Sequence, residues 1–584
     1  MVTKGKNTCG GHTGGKEAIT SPIQRFFSQS CVLVTGATGF VGKALVEKLL
    51  RSCPEMATIY LLIRPKRGLD VPTRHKELMK HPVFDRIRSE CPSVLHKVVS
   101  IQGDVTEPDL ALSEADRLEL ATKVNVVFHS AATVRFNESL KVAVNLNTLG
   151  TQRVIQLCRD MHKLQAFVHV STAYSNADKK DVHEVVYPPP ANPESVIQCC
   201  QTLSDDALEI VAERLRGKHP NTYTLTKALA EWVVAEQADD IPTAIVRPSI
   251  VTAAWREPVP GWVDNVCGIT GIMMEIGRGT IRSIICNQNL IMDLIPVDFV
   301  VNTLITVAWH TATYRPNTLR VYNCTSGGMN PVRWEEFGQL THRHACVYPT
   351  SHVMWYPGFT FRTNRLIHKI CESLFHFFPA FVVDLILRLQ GSKPIMMKIS
   401  QRFQIAAKTG EFFALHEWNF HCDNIQALIR DYKDQALFEV DVTQMDWDMY
   451  VKEYMLGIRK FILKDSTDTL PSARRKLQRI CSGTTKIERW IQENDISGYD
   501  SLTDFSDKTV TEIMKFLEET NLAEEAFQET YKFCCLISTI PTTVRSTQCE
   551  NKLSTLSTLS VEKGLLDEQQ SQKSFYDAVI DKFI

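Results

Sequence analysis

Residues 31–50 read CVLVTGATGFVGKALVEKLL. A short apolar run of strand type meets a glycine-rich turn, and the turn opens into a segment with helical spacing. Gly36, Gly39 and Gly42 stand three apart. In a strand–turn–helix of this kind one glycine permits the tight turn and one lets the backbone approach a pyrophosphate. The third lets helix and strand pack closely. The phosphates would sit at the helix N-terminus, where free N–H groups and the helix dipole favour negative charge. Thr38, Phe40 and Val41 lie between these glycines and join them as expected dinucleotide-binding positions. Without a ligand the same pattern would describe only a tight turn.

Working outward, further apolar runs follow at TIYLLI (58–63), VVSIQ (98–102), NVVFHSA (125–131), FVHVST (167–172) and TAIVRP (243–248). They alternate with segments of helical spacing such as ESLKVAVNLNTLGTQRVIQLCRDM (138–161). Buried parallel strands alternating with helices predict an α/β fold, a Rossmann-type doubly wound parallel sheet. The second strand ends in LLIRPKR. An acidic residue at that point would accept from the ribose 2′-hydroxyl of NAD. Arg64 stands there instead, followed by Lys66 and Arg67. A guanidinium suits a 2′-phosphate, so NADPH is the expected cofactor. The third strand ends in Gly103-Asp104-Val105, where Asp104 can accept from an adenine amino group or serve only as a turn residue.

The catalytic candidates come later in the chain. The fifth run ends in HVSTAYSN, which places Ser171 and Thr172 at the sheet edge where ligands bind. NTYTLTKALAEWVV carries Tyr223 and Lys227 four apart, on one helix face. A phenol is a poor acid at neutral pH, and a nearby ammonium lowers its pKa. Tyr223 could then exchange a proton opposite a hydride transfer, while a hydroxyl of Thr172 or Ser171 holds the substrate oxygen.

TGATGFVG, GDV, HSAA, VSTAY, YTLTK and RPS occur here in the order shown by the extended short-chain dehydrogenase/reductase superfamily, which this chain resembles. The resemblance implies that Tyr223 is the proton donor, Lys227 lowers its pKa, Thr172 binds the carbonyl and Asn147 supports a proton-relay water. It also implies that Tyr223, Lys227, Val105, Ala131 of HSAA and Pro248 of RPS contact the cofactor. A narrower resemblance, over about residues 28–463, is to the alcohol-forming fatty acyl-CoA reductases. LLIRPKRG, HSAATVRFNESL, VRPSIV, PGWVDN, DLIPVDFVVN, HVMWYP and WDMYVKEYMLGIRKFILKD look like that family's blocks. This implies reduction of a long-chain acyl-CoA to a primary alcohol, with two hydrides from NADPH. It also implies a cytosol-facing location at the peroxisome or endoplasmic reticulum. Many animal members end in an apolar anchor, whereas this chain ends in a polar extension, which argues against direct anchoring.

Length and composition fit a soluble globular protein of more than one domain. The chain has 584 residues, 44% hydrophobic and 22% charged, with a formal net charge of −1. That charge gives no reason to expect nucleic acid as a partner. Seventeen cysteines show no CxxC spacing, so no metal site is expected and the thiols are read as reduced. The first residues carry no apolar run of secretory type. No run reaches the roughly 18 apolar residues of a membrane span. The nearest are 294–309 and 375–389. The second holds Phe375, Phe377, Phe378, Phe381 and Leu385, which could dock at a bilayer surface, pack on the main domain or wall an acyl tunnel.

The division expected is a disordered stretch at 1–28, an NADPH-binding domain at 29–350, a smaller, mainly helical C-terminal domain at 351–465 and a polar tail at 466–584. Within the tail, 509–533 could form an amphipathic helix and 552–562 is a biased repeat. Arg135, Lys141 and the loop at Trp255-Arg256 are the cations that could touch CoA phosphates. Two rival functions remain at this level: a dehydrogenase for a sterol or other apolar alcohol, and a non-catalytic dinucleotide-sensing scaffold.

Overall fold

The computed structural model describes residues 21–493, apart from residue 67, positions within 378–395 and residues 433–435. The six apolar runs become β1 (Cys31–Thr35), β2 (Thr58–Ile63), β3 (Val98–Gln102), β4 (Val126–His129), β5 (Ala166–Val170) and β6 (Thr243–Pro248). A seventh strand, β7 (Arg320–Cys324), completes the sheet. Its sequence, RVYNC, offers too short an apolar run to be read as a strand. It is held as one by tertiary bonds: the Asn323 side chain donates to the carbonyls of Val182 (3.1 Å) and His421 (2.8 Å).

The strand order is β7-β6-β5-β4-β1-β2-β3, and every neighbouring pair is parallel. The order reverses at β1, which lies between β2 and β4. Such a reversal opens a crevice beyond the carboxyl ends of the strands. The helices that frame it are α1 (Phe40–Ser52), α2 (Val71–Met79), α3 (Gly150–Arg159), α4 (Thr222–Gln237) and α5 (Val297–Tyr314). The apolar run at 294–309 is explained by α5. It is buried from Val297 to Thr311 and packs on α1, β5 and β6, so its hydrophobicity belongs to the core.

After about residue 350 the chain is mainly helical, with α6 (Trp334–Val347) leading into it. There follow α7 (Arg365–Glu372), α8 (Met396–Ala414), α9 (Asp423–Asp431), α10 (Trp447–Gly457) and α11 (Leu470–Glu493). The loss of strand signal is not complete. Thr360–Arg362 pairs with Ser283–Ile285, and Asn419–Phe420 pairs with Asp181–Val182. Two or three residues are too few to show a period, and each strand exists only because its partner is presented to it. The polar extension begins as α11. Residues 1–20 and 494–584, with the expected helix at 509–533 and the repeat at 552–562, lie outside the described residues, whereas Pro22–Phe27, expected to be disordered, form a helix capped by Ser21 that buries Ile23 and Phe27 in the core.

The helical region is bonded to the sheet domain at several points. The Tyr450 hydroxyl meets the Thr252 hydroxyl (2.7 Å) and the Ala253 carbonyl (2.8 Å). Asp465 accepts from the Thr350 hydroxyl (2.9 Å) and the Ser351 N–H (2.8 Å). The Trp418 indole donates to the Ala177 carbonyl (3.2 Å), close in sequence to Thr172. Among the described residues no helix is long and apolar enough to cross a membrane.

Candidate active site

The glycine turn behaves as a backbone device. Gly36 has φ +75, and a Cβ there would lie 2.7 Å from the Ala131 N–H nitrogen at the end of β4. A Cβ on Gly42 would lie 2.3 Å from the Gly36 carbonyl oxygen, so α1 can rest on β1 only with glycine at this position. Gly39 is the N-cap of α1 and supplies no side-chain cap to the first turn. Thr38 and Gly39 are exposed beside these N–H groups. The Phe40 ring is turned away onto Trp262 (centroids 5.1 Å, stacked), which leaves the backbones of Phe40 and Val41 as their contribution. Lys43, one turn on, pairs with Asp264. A cradle that a Cβ would fill, at an uncapped helix start, fits a dinucleotide pyrophosphate.

At the next two strand ends Arg64 donates to Asp104 (3.1 Å). Burial pushes the Asp104 carboxyl up, yet hydrogen bonds from the Thr106 backbone and hydroxyl and from Arg64 outweigh it and hold it below the usual carboxylate range. Arg74 on α2 donates to the Arg64 carbonyl. Burial, then the charge of Arg64, depresses the Arg74 guanidinium. Two guanidiniums therefore share this corner, where the sequence pointed to Arg64, Lys66 and Arg67. Arg67 lies outside the described residues. Val105 is buried, and its carbonyl accepts from Arg153 (2.9 Å).

The catalytic face is built on α4. Asn221 caps the helix by accepting from the Thr224 N–H (2.9 Å), which sets Tyr223 in the first turn. A helix N-terminus favours the anionic form of a group placed there. The Thr172 hydroxyl lies beside the phenol and favours its ionised form, and it also reaches the Pro248 carbonyl (3.4 Å). Lys227 donates to the Val170 carbonyl at the end of β5 (2.7 Å).

The electrostatics differ from the sequence expectation. Burial pushes the Tyr223 phenol up to about 12, and the Lys227 ammonium is not among the charges that shift it. Burial draws Lys227 down to about 8, with the Glu231 charge opposing it. Desolvation is the largest cause of both shifts and outweighs what the i,i+4 spacing led one to expect.

Four helical residues beyond Lys227 stands Glu231, which the sequence reading left unused. Its carboxylate accepts from Ser171, from Ser175 (3.0 Å) and twice from Arg247, at 2.9 and 2.7 Å. All four residues are buried. Ser171 is thereby consumed, and Thr172 is the hydroxyl left facing Tyr223. The spacing Tyr223, Lys227, Glu231 was the available signal for this residue.

Asn147 sits in a π-helical turn, Val144–Leu149, and its side chain is fully engaged. It accepts from the Thr133 N–H (2.8 Å) and donates to the Thr133 carbonyl (3.1 Å) and the Thr226 hydroxyl (3.0 Å). It thus ties the loop after Ala131 to α4. The Ala131 N–H itself donates to the Thr35 hydroxyl (3.2 Å).

Comparison with known proteins agrees with this architecture. Residues 34–304 and 375–465 each match a family model described as "Male sterility protein", the first an NAD-binding model. The chain is 41% identical over 460 residues to fatty acyl-CoA reductase 1 of Rattus norvegicus, an alignment spanning 78% of this chain and 89% of that one. To fatty acyl-CoA reductase 2 of Mus musculus it is 39% identical over 462 residues, or 79% and 90% of the two chains. This chain belongs to the fatty acyl-CoA reductase family. A solved structure, the terminal R domain from the myxalamid PKS-NRPS biosynthetic pathway, matches with TM-score 0.50 at 16% identity, over 75% and 92% of the chains. At that identity the likeness is one of fold.

The cofactor of this reductase is a nicotinamide dinucleotide. The cations considered for CoA are spoken for or open to solvent. Lys141 pairs with Asp205 (3.0 Å), and Arg135 is 77% exposed, loosely facing Glu138. Arg256 stacks on Trp255 (3.6 Å) and pairs with Glu439 (2.8 Å). Among the described residues no cluster of His, Cys, Asp or Glu is arranged to hold a metal ion.

Proposed function

We propose that this protein reduces a long-chain fatty acyl-CoA to the primary alcohol, with release of CoA and consumption of two NADPH. The observation that carries this reading is that the Thr172 hydroxyl lies beside the Tyr223 phenol at the carboxyl end of β5, with Lys227 bonded to the Val170 carbonyl of the same strand end. Bound there, the nicotinamide supplies hydride. The Thr172 hydroxyl and the Tyr223 phenol donate to the oxygen that gains charge, first on the thioester carbonyl and then on the aldehyde. Between the two reductions the hemithioacetal collapses to aldehyde and free thiol, so a second hydride is needed to reach the alcohol. Tyr223 gives the proton and is left as the phenolate, and the Lys227 ammonium, replenished from solvent, supplies the proton that restores the phenol before the second reduction. Arg64, with Arg74 beside it, favours NADPH over NADH by taking the 2′-phosphate, and Asp104 faces the adenine end. In this reading residues 29–350 bind the cofactor and 351–465 complete the acyl site. The direct test is purified protein with NADPH and a panel of acyl-CoAs, measuring alcohol and free thiol. A sterol dehydrogenase would release no thiol, and a scaffold would turn over nothing.

The acyl substrate and the alcohol favour work at a bilayer, and we place the protein peripherally on the cytosolic face of the peroxisome or endoplasmic reticulum. Support comes from α7 and α8 more than from 375–389. Phe377 is half-buried, whereas Phe378 and Leu385 and the side chain of Phe375 lie outside the described residues. Between residues 363 and 408 the exposed charged residues described are all cations: Arg365, Lys369, Arg388, Lys393, Lys398 and Lys408. Exposed Leu366, Ile367, Phe381 and Ile405 stand among them. Apolar side chains ringed by cations suit an anionic lipid surface. Flotation with phosphatidylserine vesicles is expected to lift the intact protein, and Lys369→Glu with Lys408→Glu to abolish it. Intact protein that stays at the bottom of the gradient would remove this part of the proposal.

A further inference from the structure

Rings from two distant parts of the chain meet at the catalytic tyrosine. Phe136 stacks on Tyr223, with centroids 5.8 Å apart and planes 21° from parallel. Phe413, from the last turn of α8, meets Phe136 at 5.4 Å and packs edge-to-face with Tyr174 at 5.0 Å. Offset stacks and edge contacts at such separations are the favoured arrangements of aromatic pairs.

Phe136 is delivered to the phenol by a surface loop. Val134 is 64% exposed, Arg135 and Asn137 are exposed, and Phe136 between them is half-buried. The loop is pinned at both ends. Asn147 holds the N–H and the carbonyl of Thr133, and Ser139 caps the short helix Leu140–Ala143 by accepting from the Val142 N–H (3.4 Å). Inside the loop the Arg135 N–H reaches the Thr133 hydroxyl (3.4 Å). Asn147 also donates to the Thr226 hydroxyl on α4, the helix that carries Tyr223. One side chain therefore fixes the loop that bears the ring relative to the helix that bears the phenol.

We propose that Phe136, backed by Phe413 from the helical region, is a positioning residue for Tyr223 that holds the phenol ring in place and keeps water from it. Tyr223 stands in the first turn of α4 and is only half-buried as a residue, so one of its faces needs a cover. Water there would compete for the single O–H that the phenol offers and would stabilise the phenolate it becomes. A hydrocarbon ring does neither. Burial pushes the phenol up to about 12, so it keeps its proton at neutral pH. Neighbouring charges contribute less. On its own helix the Glu231 charge acts in the same raising direction, behind burial, and Lys227 is not among the charges that shift it. His129, His169 and Tyr174, at the strand ends, are held neutral by burial. On the loop Arg135 faces Glu138. On α8 Glu411 pairs with Arg365 (2.6 Å), and beyond its end His416 bonds to the Phe412 carbonyl (2.7 Å).

This inference rests on Tyr223 being the proton donor of the proposed reduction, and two readouts keep the two apart. The first is an ultraviolet phenolate titration of the full-length protein, taken in each case as the difference from the same protein carrying Tyr223→Phe. It needs no substrate. In wild type the phenol should stay protonated to the alkaline limit of folding, and in Phe136→Ala it should titrate near its ordinary value of about 10. The second is steady-state reduction of a long-chain acyl-CoA and of the matching aldehyde with NADPH. Phe136→Ala should lose roughly tenfold in kcat, part of the 10²–10⁴ that a general acid contributes, with the KM for NADPH unchanged. Phe136→Leu, which keeps an apolar cover, should restore most of both readouts. If the alanine variant folds poorly, Phe413→Ala makes the same test from the helical region, with smaller changes in the same directions. A wild-type titration and kcat in the folded variants, or a loss that Phe136→Leu does not restore, would overturn the positioning role. Absence of alcohol from every acyl-CoA and aldehyde with wild type would instead overturn the reductase reading, and the titration would still decide what the ring does.

Discussion

The two halves of the site are made in different ways. Around β1 to β3 the dinucleotide half is a backbone device, in which Gly36 and Gly42 stand where a Cβ would strike a main-chain atom. Around β5, α4 and β6 the catalytic half is a side-chain device. Thr172, Lys227, Glu231 and Arg247 come from three separate elements and are held by bonds to one another and to strand-end carbonyls. The first admits no added carbon at Gly36 or Gly42, and its side-chain chemistry is concentrated in the corner of Arg64, Arg74 and Asp104. The second tolerates local shape changes less by sterics than by loss of a partner. Cofactor binding and proton transfer should therefore be separable by mutation.

Tyr223→Phe is the sharpest cut between the halves. On the proposed mechanism it removes the proton donor and leaves the cradle intact, so turnover should fall by roughly 10²–10⁴ while NADPH binding stays near the wild-type value. Steady-state kinetics with a cofactor titration measures both at once. A parallel loss of NADPH affinity would mean that the halves are not independent.

Arg64→Asp attacks the other half and should spare turnover at saturating cofactor. In the proposed reading it removes a charge-assisted contact to the 2′-phosphate, worth about 1.5–3 kcal/mol, and it sets a carboxylate against Asp104. Preference should move from NADPH towards NADH, as read from kcat/KM with each. If NADPH affinity is unchanged, Arg74 carries the phosphate, and adding Arg74→Ala should then expose the loss.

Glu231→Gln gives the smallest kinetic effect and tests the wiring of the catalytic half. Burial draws Lys227 down to about 8, and the Glu231 anion opposes that. The other titratable neighbours, His129 and His169, are held neutral by burial and by the Lys227 charge, so they do not compensate. Removing the anion lowers Lys227 further. The alkaline limb of the pH–rate profile should move to lower pH, while the acid side is unaffected. The same change unpairs buried Arg247, for which a stability loss of about 3–5 kcal/mol is expected by thermal unfolding. A pH profile identical to wild type would make Glu231 structural only.

Legibility followed the same divide. The glycine turn and the first six strands were readable because each is a local pattern: a run of apolar residues, then glycines at fixed spacing. Tyr223 and Lys227 were readable from helical spacing together with their place after the glycine turn and the VSTAY strand end, and Glu231 was available from the same spacing but passed over. Which of Ser171 and Thr172 faces the phenol was not readable, because two adjacent hydroxyls on a strand end differ only in what each meets across the fold. Arg74 lay outside the motif that drew attention to Arg64, on a helix whose approach is set by packing.

The sequence by itself determined the doubly wound sheet, the dinucleotide turn and the Tyr223–Lys227 face, since these depend on backbone sterics and on periods of a few residues. Only the tertiary structure decided that β7 exists and that Ser171 is bound to Glu231. It also decided the state of the buried groups, with the phenol raised and the ammonium depressed, and it packed Phe413 and Trp418 onto Tyr174, two residues from Thr172. Each of these follows from contacts between residues far apart in the chain, and desolvation and ring packing leave no periodic trace in the order of amino acids.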